Sequence, residues 1–230
     1  RRGTRPEARL PVSFKWLYLL SLIGCLSHPA LDWLNVYGIR LLEPFSSQWF
    51  YGDTLFIIDI WLWLGLGFAT WFSLRRERRG GEWKRPARVA LAAMLAYIVV
   101  NWHITALNML VLDDGPGSTI IASPTPIAFW QREMIFGGDG HYRIDGREVG
   151  TFDLTREDYP DIISAVPEAE PFLFWARTPY IARDEDGRFF LRDARFAGRG
   201  GFQVELPEAV CKPLQPPDLS GLEPEGASGR

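Results

Sequence analysis

Only two cysteines and three histidines occur in this chain of 230 residues. Cys25 lies inside an apolar run and Cys211 near the tail, so neither a disulfide framework nor a CxxC metal knuckle is available. A Gly-rich phosphate loop, a GxSxG nucleophile elbow and an HExxH helix are also absent, which removes the commonest motif-based assignments to nucleotide binding, serine hydrolysis and zinc proteolysis. No internal repeat is visible. The first residue is Arg rather than Met and nothing reads as a cleavable signal peptide, so an upstream piece is expected.

Charge is missing over long stretches. No formal charge appears from Trp16 to Leu31, although Pro29 interrupts any helix there. Thr54 to Leu74 has one, Asp59, and Val89 to Leu112 has none. A helical span needs about 20 apolar residues. One such run fits a buried soluble helix, but three within about a hundred residues point to a bilayer. The expected architecture is therefore mixed: an α-helical polytopic membrane domain of about three transmembrane helices over 1–112, then a small β-rich soluble domain over 113–211. A disordered tail rich in Pro, Gly, Ser and acid is expected over 212–230.

The average composition hides this division. Hydrophobic residues make up 47%, mean hydropathy is -0.06 and net charge is -3, all ordinary for a soluble protein. Yet residues 1–112 carry 13 Lys and Arg against 7 Asp and Glu, whereas residues 113–230 carry 12 against 21. The segment RRERRGGEWKRPAR, between the second and third runs, holds seven basic residues. By the positive-inside rule it belongs to the cytoplasm. The connection between the first and second runs has only Arg40 as a base and is expected outside. The third span then exits and leaves the acidic half in the periplasm of a bacterial inner-membrane protein. Trp33, Tyr37, Trp49 and Tyr51 outside, with Trp16, Trp71 and Trp83 inside, suit interfacial belts. Membrane lipids are thus the expected partners. The basic loop is explained by topology and anionic headgroups, so no nucleic-acid partner is expected.

In the back half, short runs such as IAFWQREMIF, HYRI, FLFWA and GRFFLRDARF are divided by turn signals. These are GGDG at 137–140, DG at 145–146 and DEDG at 184–187.

The polar groups near the apolar runs carry the candidate chemistry. His28 and Asp32 stand four apart and Asn35 follows, so a continuous helix would put all three on one face. Pro29 biases His28 away from helical geometry and suggests that the helix breaks near Ser27 and restarts at Pro29. Asp53 is the expected cap of the second span, which puts Asp59 six residues in, at a depth of roughly 9 Å. An ionisable group inside a span is costly unless paired, hydrated or metal-bound. Imidazole and carboxylate donors suit a divalent metal such as Zn²⁺, Mn²⁺ or Fe²⁺, and a metal with an open position makes a bound water nucleophilic at neutral pH. The plainer reading is a hydrogen-bonded interfacial histidine and a capping aspartate. His103, in NWHIT of the third run, reads as a polar contact between helices, and His141, after GGDG, as an ordinary loop histidine.

The block SHPALDWLNVYGIRLLEPFSSQWFYGDTLFIIDIWLWLGLG resembles a bacterial inner-membrane family of predicted membrane-bound metal-dependent hydrolases. The matching elements are SHPALDWLNVYG, a Pro-Phe-Ser turn at 44–46, and an aromatic-Gly-Asp segment leading into FIID. The resemblance implies His28, Asp32 and Asp59 as metal ligands, and their donor chemistry makes Zn or Mn the expected metal. Asp32 and Asn35 would be the catalytic and orienting groups toward a lipid-like, ester or phosphoester substrate near the outer leaflet. Members usually begin with Thr-His-Ser, Asp-containing and basic-Gly-Thr-His segments. The opening RRGTRPEAR has none of them, so the opposite wall of such a site is expected upstream. The competing expectation is a non-enzymatic anchor that displays a periplasmic interaction domain.

Overall fold

The computed structural model describes residues 12–111, 118–198 and 202–214. The chain divides into two units, Arg1–Ile98 and Val99–Arg230. The division falls inside the third helix, ahead of the compositional boundary at 112. Of the expected tail, Lys212–Leu214 forms a 3-10 turn, and 215–230 lies outside the described residues.

The first unit contains helix α1 (Phe14–Trp33), helix α2 (Ile60–Arg78) and the beginning of helix α3 (Lys84–Val111). α1 runs through Pro29 without the break expected at Ser27 and His28. Proline removes one backbone donor but leaves the bonds on either side available. Here Ser27 Oγ also ties itself into the turn by donating to the Gly24 carbonyl at 2.9 Å. α2 departs further from expectation, because it starts at Ile60 rather than Thr54. Asp53, the expected cap, instead adopts a left-handed backbone with φ 45°. The cause lies in the preceding segment: Thr54 and Leu55 both donate backbone N–H bonds to the Leu34 carbonyl, at 2.8 and 2.9 Å. Those bonds hold 53–55 against the exit of α1 and delay the helix until Asp59.

The large apolar side chains of these helices lie mostly at the surface, among them Leu20, Ile23, Trp63, Leu64, Phe68, Leu91 and Leu95. Soluble monomers rarely expose contiguous apolar patches of that kind, which mark membrane or protein contacts. By length and composition one described helix, Lys84–Leu110 within α3, is able to cross a bilayer. Of the three expected spans, all three are helices, and among the described residues one reaches that measure. α2 is shortened by its late start and has only Ile60–Leu74 before the basic run from Arg75.

The second unit, beyond the end of α3, is strand-rich. A four-stranded antiparallel sheet runs in sequence order, β1 (Thr119–Pro124), β2 (Arg132–Gly138), β3 (His141–Ile144) and β4 (Arg147–Val149). Its two tight hairpins turn on Asp139–Gly140 and Asp145–Gly146, all four residues with positive φ. Asp-Gly suits such turns because their twist matches that of the flanking strands. A three-stranded antiparallel sheet follows, β5 (Pro179–Arg183), β6 (Phe189–Asp193) and β7 (Gln203–Leu206). Helices α4 (Tyr159–Ala165), α5 (Ala169–Trp175) and α6 (Glu208–Cys211) accompany it. FLFWA, expected with the strand-like runs, lies mostly in α5; a short apolar run has no period by which strand and helix can be told apart.

Alternation along the second sheet separates two cores. Ile181, Phe189, Leu191 and Leu206 face one way, onto Ile162, Leu173 and Cys211 from the helices. Tyr180 and Ala182 face the other way, with Ile121, Ile135 and Tyr142 of the first sheet.

Candidate functional site at the helix ends

Because α1 is continuous, His28 and Asp32 meet one turn apart, Nε2 to Oδ2 at 3.2 Å. Their side chains are 82% and 42% exposed within the protein, so both are open to a ligand. Asn35 is buried just past the end of α1, where its Oδ1 accepts the Tyr37 N–H at 2.8 Å. That bond makes Asn35 the former of a local turn, since an Asn side chain commonly bonds the backbone two residues on.

Beyond the turn the chain folds back on itself. An isolated bridge pairs Ile39 with Phe50, and Trp49 stacks on Tyr51. Arg40 pairs with Glu43 and covers the Trp49 ring at 5.8 Å. Gly52 passes so close to the end of α1 that a Cβ there would lie 2.6 Å from the Trp33 carbonyl oxygen.

Asp59 is not six residues inside a helix, as expected; it caps one. Its Oδ1 accepts the N–H groups of Trp61 and Leu62 at 3.1 and 3.0 Å, and its Oδ2 accepts the Tyr97 hydroxyl at 2.9 Å. The carboxylate is 7% exposed and complements the positive end of the α2 dipole. The cost of placing an acid beside an apolar run is thus met by three protein donors.

The structure therefore brings His28 to Asp32 but uses Asp59 elsewhere. Among the described residues no three of His, Cys, Asp and Glu gather as a metal-holding group. His28 and Asp32 fit as two donors of a metal, while Asp59 accepts from Trp61, Leu62 and Tyr97. His103 bonds within its own helix, Nδ1 to the Val99 carbonyl at 2.8 Å, rather than across to another. His141 pairs with Asp153 at 2.8 Å on an exposed hairpin.

Two buried polar centres of the second unit have no motif in the sequence. In one, Arg132 reaches α3. Its Nε donates to Thr105 Oγ1 at 2.9 Å, and its Nη2 to the carbonyl and side-chain oxygens of Asn101 at 2.9 and 3.1 Å. Its Nη1 donates to the carbonyls of Phe129 and Gln131 at 2.7 and 2.8 Å. In the other, Asp193 and Arg195 form a fully buried ion pair at 2.8 Å, with Asp193 also accepting the Thr178 hydroxyl at 2.8 Å. The Arg195 guanidinium covers the Trp175 ring at 4.6 Å. Burial by itself would raise the Asp193 carboxyl, but its hydrogen bonds and charge pairing with Arg195 hold it below the usual carboxylate range. Burial also pushes the Cys211 thiol up to about 11, which leaves it protonated at neutral pH.

No curated protein and no solved structure matches the chain. A family model does. Residues 3–107, which take in α1, α2 and all but the last four residues of α3, match the YdjM inner membrane protein family, and that similarity supports a place in a bacterial inner membrane.

Proposed function

We propose that the protein is a multi-pass inner-membrane protein whose helices hold the strand-rich unit on the periplasmic face to engage a partner there. The observation that carries this reading is the attachment of β2 to α3 through Arg132, whose Nε and Nη2 bond uncharged oxygens of Asn101 and Thr105 and so tie the strands to the helix able to cross a bilayer. The charge pattern supports the orientation: residues 75–88, from the end of α2 to the start of α3, hold seven bases against two acids, whereas 34–59, between α1 and α2, hold Arg40 as the single base. α1 and α2 are the other two spans in this reading. Alkaline phosphatase joined after Leu214 should be active, and joined after Gly80 inactive; the reverse pattern would overturn the orientation.

A second reading, metal-dependent hydrolysis of an ester or phosphoester near the outer leaflet, is favoured by the exposed His28–Asp32 pair. A Zn²⁺ or Mn²⁺ ion would there supply Lewis acidity and an acidified water. His28 and Asp32 would supply two donors, and the remaining ligands would have to come from beyond the described residues. Asp59 and Asn35 would act as positioning residues through the cap and the turn they form. Metal analysis of the complete purified protein separates the two readings. A stoichiometric metal lost in His28→Ala but kept in Asp59→Asn would favour hydrolysis and count against the anchor. Substoichiometric metal in all three proteins supports the anchor.

A further inference from the structure

We propose that the loop at 125–131, between β1 and β2, is a lipid-contacting surface, with Ile127 and Trp130 inserted in the headgroup–acyl boundary beside the C-terminal end of α3. The inference rests on the membrane reading of α3 and adds a second membrane contact to it.

Composition first sets this loop apart. TIIASPTPIAFWQ, residues 119–131, contains no charged side chain, within a half that is otherwise strongly acidic. Ile127 and Trp130 are 64% and 57% exposed. The loop is nonetheless well held. Thr125 Oγ1 donates to the Ala128 carbonyl at 2.9 Å, Gln131 N–H to the same carbonyl at 2.8 Å, and Phe129 N–H to the Ile127 carbonyl at 3.0 Å. Phe129 and Trp130 pack edge to face, with centroids 5.2 Å apart. An ordered loop that presents Ile and Trp outward costs little ordering entropy when it meets an apolar phase.

The depth of the loop follows from Arg132. This side chain bonds Asn101 and Thr105 through Nε and Nη2, and the carbonyls of the loop itself through Nη1. The loop is therefore fixed to α3 at the level of those two residues. Arg88 is the last charged residue before the apolar stretch of α3. At the helical rise of about 1.5 Å per residue, Asn101 lies roughly 20 Å and Thr105 roughly 26 Å beyond it. A hydrocarbon core is about 30 Å thick, and any tilt of the helix only reduces the height reached. With Arg88 at one boundary, the level of Thr105 is at or just inside the other. A loop fixed there meets lipid.

The same geometry explains how the arginine is tolerated. A guanidinium near the acyl region is expensive unless its donors are satisfied, and here Nε, Nη1 and Nη2 reach five oxygens. Tryptophan beside it is the residue type that favours the headgroup level.

The test uses the full chain carrying Cys25→Ser, with Cys211 left in place as a buried, protonated thiol. An environment-sensitive fluorophore is attached in turn through Ile127→Cys, Trp130→Cys, Leu95→Cys on α3 and Asp186→Cys on the β5–β6 loop. Each labelled protein is reconstituted in vesicles of phosphatidylethanolamine and phosphatidylglycerol. Quenching by nitroxide placed near the headgroup end of the lipid acyl chain is compared with quenching by aqueous iodide. Labels at 127, 130 and 95 should be quenched by the lipid nitroxide several-fold more strongly than the label at 186, and protected from iodide. If 95 is lipid-quenched while 127 and 130 follow 186, or are quenched by neither agent, the loop does not meet lipid and the inference is overturned. If 95 itself is open to iodide, the membrane reading of α3 fails and the inference goes with it.

Discussion

At the scale of single residues, the buried Asp193–Arg195 pair is where one substitution should cost most. Asp193→Asn leaves the Arg195 guanidinium buried with its charge unmatched, a loss of about 3–5 kcal/mol by analogy with other buried pairs. The pH dependence has a definite sign. The folded carboxyl is held below its unfolded value, so its contribution is complete above the unfolded pKa of about 3.9 and is lost as pH falls below it toward the folded pKa. Denaturant titration of the purified protein between pH 7 and pH 3 should show the wild type approaching the variant at the acid end. A gap that stays constant over that range would contradict the assignment. Nothing in FFLRDARF announces this pair, because an Asp and an Arg two apart on a strand end are usually solvated. Their burial is decided by Thr178 and Trp175, which lie far off in sequence.

At the scale of elements, hydrophobic runs located the three helices, and turn residues located the hairpins. DG at 145–146, GGDG and DEDG all fall where strands reverse, since only residues tolerant of positive φ can make those turns. The helix starts were less legible. Thr54–Asp59 is as apolar as the helix that follows it, and what keeps it out of the helix is the pair of bonds to Leu34, a tertiary contact with no local signature. The role of Asp59 depended on that boundary, so an acid expected inside a span proved to be its cap. Tyr97, the second partner of Asp59, is the single phenol in the apolar stretch of α3 and was open to inference as the mate of an intramembrane acid. Gly52 gives a direct check on this part of the fold. Gly52→Ala would press a methyl group against the backbone of Trp33 and Leu34, forcing the bonds at Leu34 apart. The expected destabilisation is about 1–3 kcal/mol, as for other overpacked sites, read as a lower unfolding midpoint in detergent. An unchanged midpoint would mean that the 52–55 crossing is not held as described.

At the scale of the whole molecule, the sequence divides into a basic apolar half and an acidic polar half, and the structure fastens β2 of the second to α3 of the first through Arg132. The join was not legible, because Arg132 follows an uncharged loop and carries no motif. Its hydrogen bonds have a bearing on the order of assembly. Phe129 and Gln131 accept from the guanidinium within its own strand and loop, and Nε and Nη2 reach acceptors on α3. The buried guanidinium thus engages both elements. The expected order is that the sheet forms first while Arg132 remains hydrated, and that docking onto a helix already in place follows late. Interactions formed after the transition state govern how fast a structure comes apart rather than how fast it forms. Arg132→Lys retains the charge but not the five-donor fork, so it should speed release of the strand-rich unit by about tenfold or more while leaving sheet formation at its original rate. Stopped-flow unfolding and refolding of the complete protein would separate those two effects, and a slowed refolding phase would place the docking early instead. With docking late, the guanidinium acts as a latch that closes on a helix already inserted, a timing device for the passage from membrane insertion to final fold.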